Sequence, residues 1–205
     1  SERSIPFPLR DLTSLSSMTV KGEHLEPDFC LPTGLKILNL EVTCVQNMNS
    51  CLQPLTNLLE LKVSTAKYQT PIDLGPLVSL TKVDMNESPV IHIPTSLVEF
   101  KMAVWRDKNF TRLINLTKLE LDMNQGVRVL FPMQLKELRI KGFLPKDSNL
   151  CDVALESLFL SDNIEVTREV LENLPRTLRR IQARLNPPTL QEHLKEFFPQ
   201  FDASK

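Results

Sequence analysis

Aliphatic residues along this chain keep a short repeated frame: one aliphatic, two free positions, a second aliphatic, one free position, a third. It reads Leu15, Met18, Val20; Leu35, Leu38, Leu40; Leu58, Leu61, Val63; Leu80, Val83, Met85; and Leu97, Phe100, Met102. It continues as Leu116, Leu119, Leu121; Leu135, Leu138, Ile140; Leu155, Leu158, Leu160; and ends weakly as Leu178, Ile181, Ala183. First members lie 20, 23, 22, 17, 19, 19, 20 and 23 residues apart. The second and third aliphatics of a copy stand two residues apart, so in an extended segment both point to one side. The pattern predicts one short strand per copy. A chain that returns to the same place at this period stacks its strands in parallel, roughly 4.8 Å apart. No copy can bury its apolar side alone. Stacking buries it and makes a solenoid whose units touch only their neighbours.

The frame resembles the leucine-rich repeat family over about residues 12–188. The resemblance implies an α/β solenoid: a leucine-rich repeat arc with about nine parallel strands on its concave face and a short C-terminal capping helix. It also implies an asparagine three residues after the last aliphatic, with its amide bonded to neighbouring backbone. Asn124, Asn163 and Asn186 hold that position, whereas Thr43, Ala66, Ser88, Trp105 and Phe143 replace it elsewhere. An incomplete ladder and an irregular arc are expected.

The lead-in to each strand comes in two kinds. Pro32, Pro94, Pro132 and Pro175 stand three residues before the first leucine of their copies, and Leu12, Leu55, Leu77 and Leu113 hold the same place in others. Proline fixes φ near −65° and suits a turn that feeds a strand. The P-x-x-L copies resemble short repeats of some bacterial effectors and protozoan proteins; the L-x-x-L copies are more similar to eukaryotic intracellular repeats. The short interval from Leu80 to Leu97 predicts a tight, helix-free convex side. Residues 1–11 lie outside the repeat, as a cap remnant or a cut edge. Beyond Pro187 and Pro188, residues 189–205 form a capping helix and tail: Leu190, Leu194, Phe197 and Phe198 share a helical face, with Thr189 at its start and Pro199 at its end.

Composition narrows the functional classes. Leucine occurs 35 times and glycine only 5 times, which argues against glycine-rich phosphate loops. Lysine plus arginine (24) nearly cancels aspartate plus glutamate (25), so no overall field calls for nucleic acid or an anionic membrane. No apolar stretch is long enough for a membrane helix. No signal peptide opens the chain, although Ser1 rather than Met leaves the native start open.

The free positions beside the middle aliphatic project from the concave face. The first runs Glu60, Lys82, Glu99, Lys118, Glu137, and the second runs Lys62, Asp84, Lys101, Glu120, Arg139. In register these make a checkerboard of opposite charges. Each exposed pair contributes about 0–1 kcal/mol, but a mis-stacked repeat would set like charges together. Self-neutralised lysines also release few counterions, which again disfavours nucleic acid.

Departures from the checkerboard mark the candidate site. Trp105 and Phe143 stand where the family prefers asparagine, either exposed for a partner or turned inward to fill the missing amides' space. Phe159 takes a concave position that is charged in the preceding five strands. Arg139, Lys141, Arg180 and Arg184 edge it with cations. Met123 and Val104 are expected on the same rim, with Asp122 and Glu41 as acidic points. Large apolar residues in outward register are where an interface hot spot is expected. Arg176, Arg179, Arg180 and Arg184 could hold phosphate or acidic peptide, or form a solvated face paired with Glu165, Glu169 and Glu172.

Catalysis is not expected. His24, His92 and His193 lie far apart, and no G-x-S-x-G, Walker loop, H-E-x-x-H or dinucleotide fingerprint appears. His24 with Glu23, Glu26, Asp28 and Cys30 lacks paired metal-ligand spacing. Neither metal nor cofactor is expected. Cys30, Cys44, Cys51 and Cys151 do not form the paired end caps usual in extracellular members of the family. Cys44 and Cys51 could meet across a loop, yet free thiols fit a reducing compartment better. Sequons at Asn86, Asn109 and Asn115 point the other way, though accident accounts for one or two among 12 asparagines and 28 serines plus threonines. The resulting expectation is a cytoplasmic, monomeric, non-catalytic module whose partner is another protein. Two alternatives stay open: the targeting domain of a larger effector-type ligase, and a secreted receptor fragment that binds glycan or lipid.

Overall fold

Eight of the nine copies of the frame begin with the same backbone turn. The amide of the first leucine donates to the carbonyl three residues earlier: Leu35 to Pro32, Leu97 to Pro94, Leu135 to Pro132 and Leu178 to Pro175. In the other lead-in, Leu15 donates to Leu12, Leu58 to Leu55, Leu80 to Leu77 and Leu116 to Leu113. This turn uses only the carbonyl of its opening residue, so proline and leucine serve it equally. The two kinds differ one step upstream. Leu12, Leu55, Leu77 and Leu113 donate their own amides to Leu9, Leu52, Leu74 and Phe110, adding a second turn that proline cannot make. The eighth copy departs from both, because a short 3-10 turn at Leu150–Asp152 precedes Leu155.

The computed structural model describes residues 9–25, 29–45, 48–64, 71–85, 90–145, 147–161, 164, 166, 168–183 and 196–198; for residues 10, 23–25 and 43–45 it describes the backbone alone. The described strands form a parallel β-solenoid with few helices. The chain divides into two units, Ser1–Leu97 and Val98–Lys205.

In the first unit, β1 (Ser17–Leu25), β2 (Ile37–Val45), β3 (Glu60–Ser64) and β5 (Lys82–Met85) stack in parallel in that order. Short strands β4 (Ile72–Asp73) and β6 (Val90–Ile91) pair separately, and α1 (Met48–Leu52) is a single turn. Between Leu80 and Leu97 the described residues hold only β5 and β6, in accord with the helix-free segment expected there.

In the second unit, β7 (Glu99–Val104), β9 (Lys118–Met123), β11 (Glu137–Gly142), β12 (Ser157–Leu160) and β13 (Arg180–Gln182) stack likewise. Here β8 (Lys108–Asn109) pairs with β10 (Val129–Leu130), and α2 (Arg168–Glu172) is short. Register follows the frame. Leu38 lies opposite Leu61, Leu119 opposite Leu138, and Leu138 opposite Leu158. All five are buried. Phe100 and Phe110 meet edge to face, with ring centroids 6.1 Å apart. Met18 and Val20 in β1, Ile181 in β13 and Ala183 just beyond it are only half-buried, since among the described residues each of those strands has a neighbour on one side.

Polar side chains tie neighbouring turns together at places the consensus does not mark. Asn49 Oδ1 accepts from the Asp73 amide at 2.8 Å, and its Nδ2 donates to Pro71 O at 3.0 Å. Asn149 does the same for Phe131, at 2.7 Å to the amide and 3.0 Å to the carbonyl. The consensus-position Asn124 is instead exposed. Asn49 and Asn149 each stand nine residues after the last aliphatic of their copy, Leu40 and Ile140, which is the signal that could have found them.

The C-terminal helix expected from Thr189 lies outside the described residues except at 196–198. There Glu196 and Phe197 are helical and Phe198 is buried. Arg176 Nη1 donates to Phe197 O at 3.1 Å.

Candidate functional site

The face of the sheet opposite the core is built by the free positions of the frame. In the first unit Glu60 lies opposite Lys82 and Lys62 opposite Asp84. In the second, Glu99, Lys118 and Glu137 form one column, and Lys101, Glu120 and Arg139 the next. Ion pairs join register partners, diagonal neighbours and residues two apart on one strand. Lys118 Nζ lies 3.1 Å from Glu99, Lys101 3.6 Å and Lys141 2.8 Å from Glu120, and Arg139 Nε 2.9 Å from Glu137. Lys21 and Glu41 make a 2.7 Å pair in the first unit.

Glu120 is the most enclosed of these carboxylates. Burial alone would raise its pKa, but the hydrogen bond from Lys141 and the charges of Lys101 and Lys141 outweigh it and hold the group below the usual carboxylate range. A lowered folded pKa contributes stability above the unfolded value, about 4.3, and loses it as pH falls through the folded one. Melting temperature should therefore drop as pH is taken below that range. Glu120→Gln should flatten the acidic limb, and a variant that tracks wild type throughout would remove Glu120 from the cause.

Phe159 sits between Arg139 and Gln182 in the second column, as its register requires. Two guanidinium carbons approach its ring, Arg139 at 4.3 Å and Arg180 at 5.2 Å from the centroid. These distances are within cation–π range. The ring is half-buried, held by neighbours yet open to solvent.

Trp105 and Phe143 do not turn inward: they are 58% and 47% exposed. With Asn124 between them they occupy equivalent steps of three successive turns. The Asn124 amide donates to Val104 O and the Phe143 amide to Met123 O, both at 3.2 Å.

Met123 and Val104 depart from the expected rim. They are 2% and 1% exposed, because β9 and β7 run two residues beyond the frame. Strand alternation therefore turns a third side chain inward after Leu121 and Met102. Gly142 is the matching residue in β11, and Met123 lies opposite it. Asp122 and Lys141 pair in register and are exposed. Arg184 lies outside the described residues, as do the side chains of Glu23, His24, Glu26 and Asp28. The structure thus brings Arg139, Phe159 and Arg180 together, sets Trp105 and Phe143 along one edge, and leaves Met123 in the core.

Sequence reasoning missed Ile114 and Met133, which are both strongly exposed. Each follows the residue that opens a lead-in turn, a slot held by Thr13, Thr33, Thr56 and Thr95 in other copies. An apolar residue in a slot that four copies give to threonine was the available signal, and Val78, also strongly exposed, is a third case. A cavity of about 590 Å³ beside α2 is lined by Leu144, Asp147, Cys151 and Glu169 among others, and by none of the expected site residues.

Cys51 is a free, buried thiol that donates to Phe29 O at 3.0 Å. Burial pushes its pKa up, and Cys30 adds to the shift. Cys30 and Cys151 are free and exposed. Among the described residues no helix is long and apolar enough to cross a membrane.

Fold and face together define a parallel-strand β-solenoid with a charge-paired outer face interrupted by aromatic residues. No family model matches the chain, and no curated protein matches it.

Proposed function

We propose that this chain is a non-catalytic leucine-rich repeat module that binds a protein partner through the concave face of its second unit. The observation that carries the reading is Phe159, half-open on a sheet face and held by two guanidinium groups, with Trp105 and Phe143 exposed along one edge of that sheet. Side chains on hydrogen-bonded parallel strands keep fixed spacing, so a partner loses little entropy in ordering them. Exposed aromatics beside arginine match the composition of interface hot spots. An arc of about nine strands with a C-terminal capping helix is the architecture we assign; the nine-fold frame and the buried Phe198 support it. Free Cys30, Cys51 and Cys151 support a reducing, cytoplasmic setting, and a monomer is the state assigned.

The test is affinity capture from a proteome with wild type, Phe159→Asp, Phe159→Ala and Trp105→Ala. A protein retained by wild type should be lost with Phe159→Asp and bound at least tenfold more weakly by the alanine variants. Melting temperatures should shift by no more than ~2 °C, as surface truncations change stability by about 0.5 kcal/mol or less. Equal capture by all four proteins would end this reading. A collapse in stability would show instead that the aromatics serve the core.

A further inference from the structure

The charge-paired face of the second unit has a gap. Strands β7, β9 and β11 present Glu99, Glu120, Asp122 and Glu137 against Lys101, Lys118, Arg139 and Lys141, so carboxylates and cations balance. Strands β12 and β13 continue the two columns with Ser157 and Phe159, then Arg180 and Gln182. They add a cation and no carboxylate. Alternation along the second column, Lys101, Glu120, Arg139, calls for an acid at the next step, and that step is Phe159.

Arg139 is paired along its own strand with Glu137, at 2.9 Å. The neighbouring Glu156 is engaged by Lys136 at 3.4 Å. Among the described residues no carboxylate pairs with Arg180; its contact is the Phe159 ring. The Arg180 guanidinium carbon lies 5.2 Å from the ring centroid, and a guanidinium's planar fork of donors takes a carboxylate with two hydrogen bonds. The phenyl group also shields one side of that cation from water, which strengthens an ion pair formed there.

We infer that Arg180 and Phe159 bind an acidic peptide segment of the partner, whose carboxylate supplies the charge missing from the column and whose adjacent apolar side chain lies against the ring. This rests on the protein-binding reading above and adds the chemistry of the partner. Arg139 acts as a positioning residue, holding the ring while Glu137 holds it.

The probe is a short fluorescein-labelled peptide of alternating glutamate and leucine, compared with its glutamine–leucine and lysine–leucine counterparts by fluorescence anisotropy. Wild type should bind the glutamate peptide alone, more weakly as salt rises. Arg180→Ala should weaken binding about tenfold or more. Phe159→Glu, which fills the gap from within, should abolish it. Arg112→Ala removes an exposed arginine elsewhere in the unit and should change affinity less than twofold. Circular dichroism melts establish that each variant is folded. No binding of the glutamate peptide, or equal losses with Arg180→Ala and Arg112→Ala, overturns the inference. If capture of a protein partner is still lost with Phe159→Asp, that failure leaves the protein-binding reading standing. Equal capture by every variant would overturn the broader reading whatever the peptide does.

Discussion

Gly142→Ala is expected to destabilise the protein by roughly 3 kcal/mol or more, whereas Gly126→Ala should cost only about 1–2 kcal/mol. Both glycines have left-handed backbones, with φ of +83° at Gly142 and +80° at Gly126. An L side chain pays for that conformation at either place. Only at Gly142 is there a second cost. A Cβ there would run into the carbonyl oxygen of Met123, while at Gly126 nothing lies within 4 Å. The obstacle is backbone, not the end of a flexible side chain, and it is fixed by its own bond from the Phe143 amide at 3.2 Å. Relief would require β9 and β11 to separate where they pair, since Gly142 is the register partner of Met123. Urea unfolding of the two variants isolates the collision, because the backbone cost is common to both. Equal losses would show that the strands give way locally and that close approach is not what selects glycine at residue 142.

This glycine also marks the limit of what the repeat frame could tell. The frame located the strands because period-two burial is a property of any strand with one apolar side, and Leu38, Leu61, Leu119 and Leu138 all face the core. It also located the lead-in turns, since proline and leucine at one fixed offset are chemically unlike yet positionally the same. It could not say how far each strand continues. It puts Met123 and Val104 on the rim because it stops at Leu121 and Met102, and strand length depends on whether the next turn keeps pairing. Asn49 and Asn149 escaped notice for a related reason: which backbone an amide reaches depends on the path of the neighbouring turn, and a leucine count does not contain that path. The charged columns were legible because register follows once the strands are stacked. The way Arg139 and Arg180 both lean on Phe159 was legible only as proximity, with the ring geometry supplied by the structure.

Core truncation should scale with position in the stack. Leu119→Ala is expected to cost about 2–5 kcal/mol, enough to remove much of the stability of a protein this size. Leu119 is buried between Phe100 on one neighbouring strand and Leu138 on the other. The cavity left by its side chain would be lined by residues that are themselves pinned in register, so little collapse can relieve it. Ile181→Ala tests the opposite case. It stands at the same step of the frame, but its described strand partner is Leu158 alone and it is half-buried. Less apolar surface is hidden there, and a cost nearer ~1 kcal/mol is expected. Denaturant midpoints compared at unchanged slope measure both effects. A loss at Ile181 equal to that at Leu119 would mean that another part of the chain completes the core over β13, and that the stack is closed at that end as tightly as in its middle.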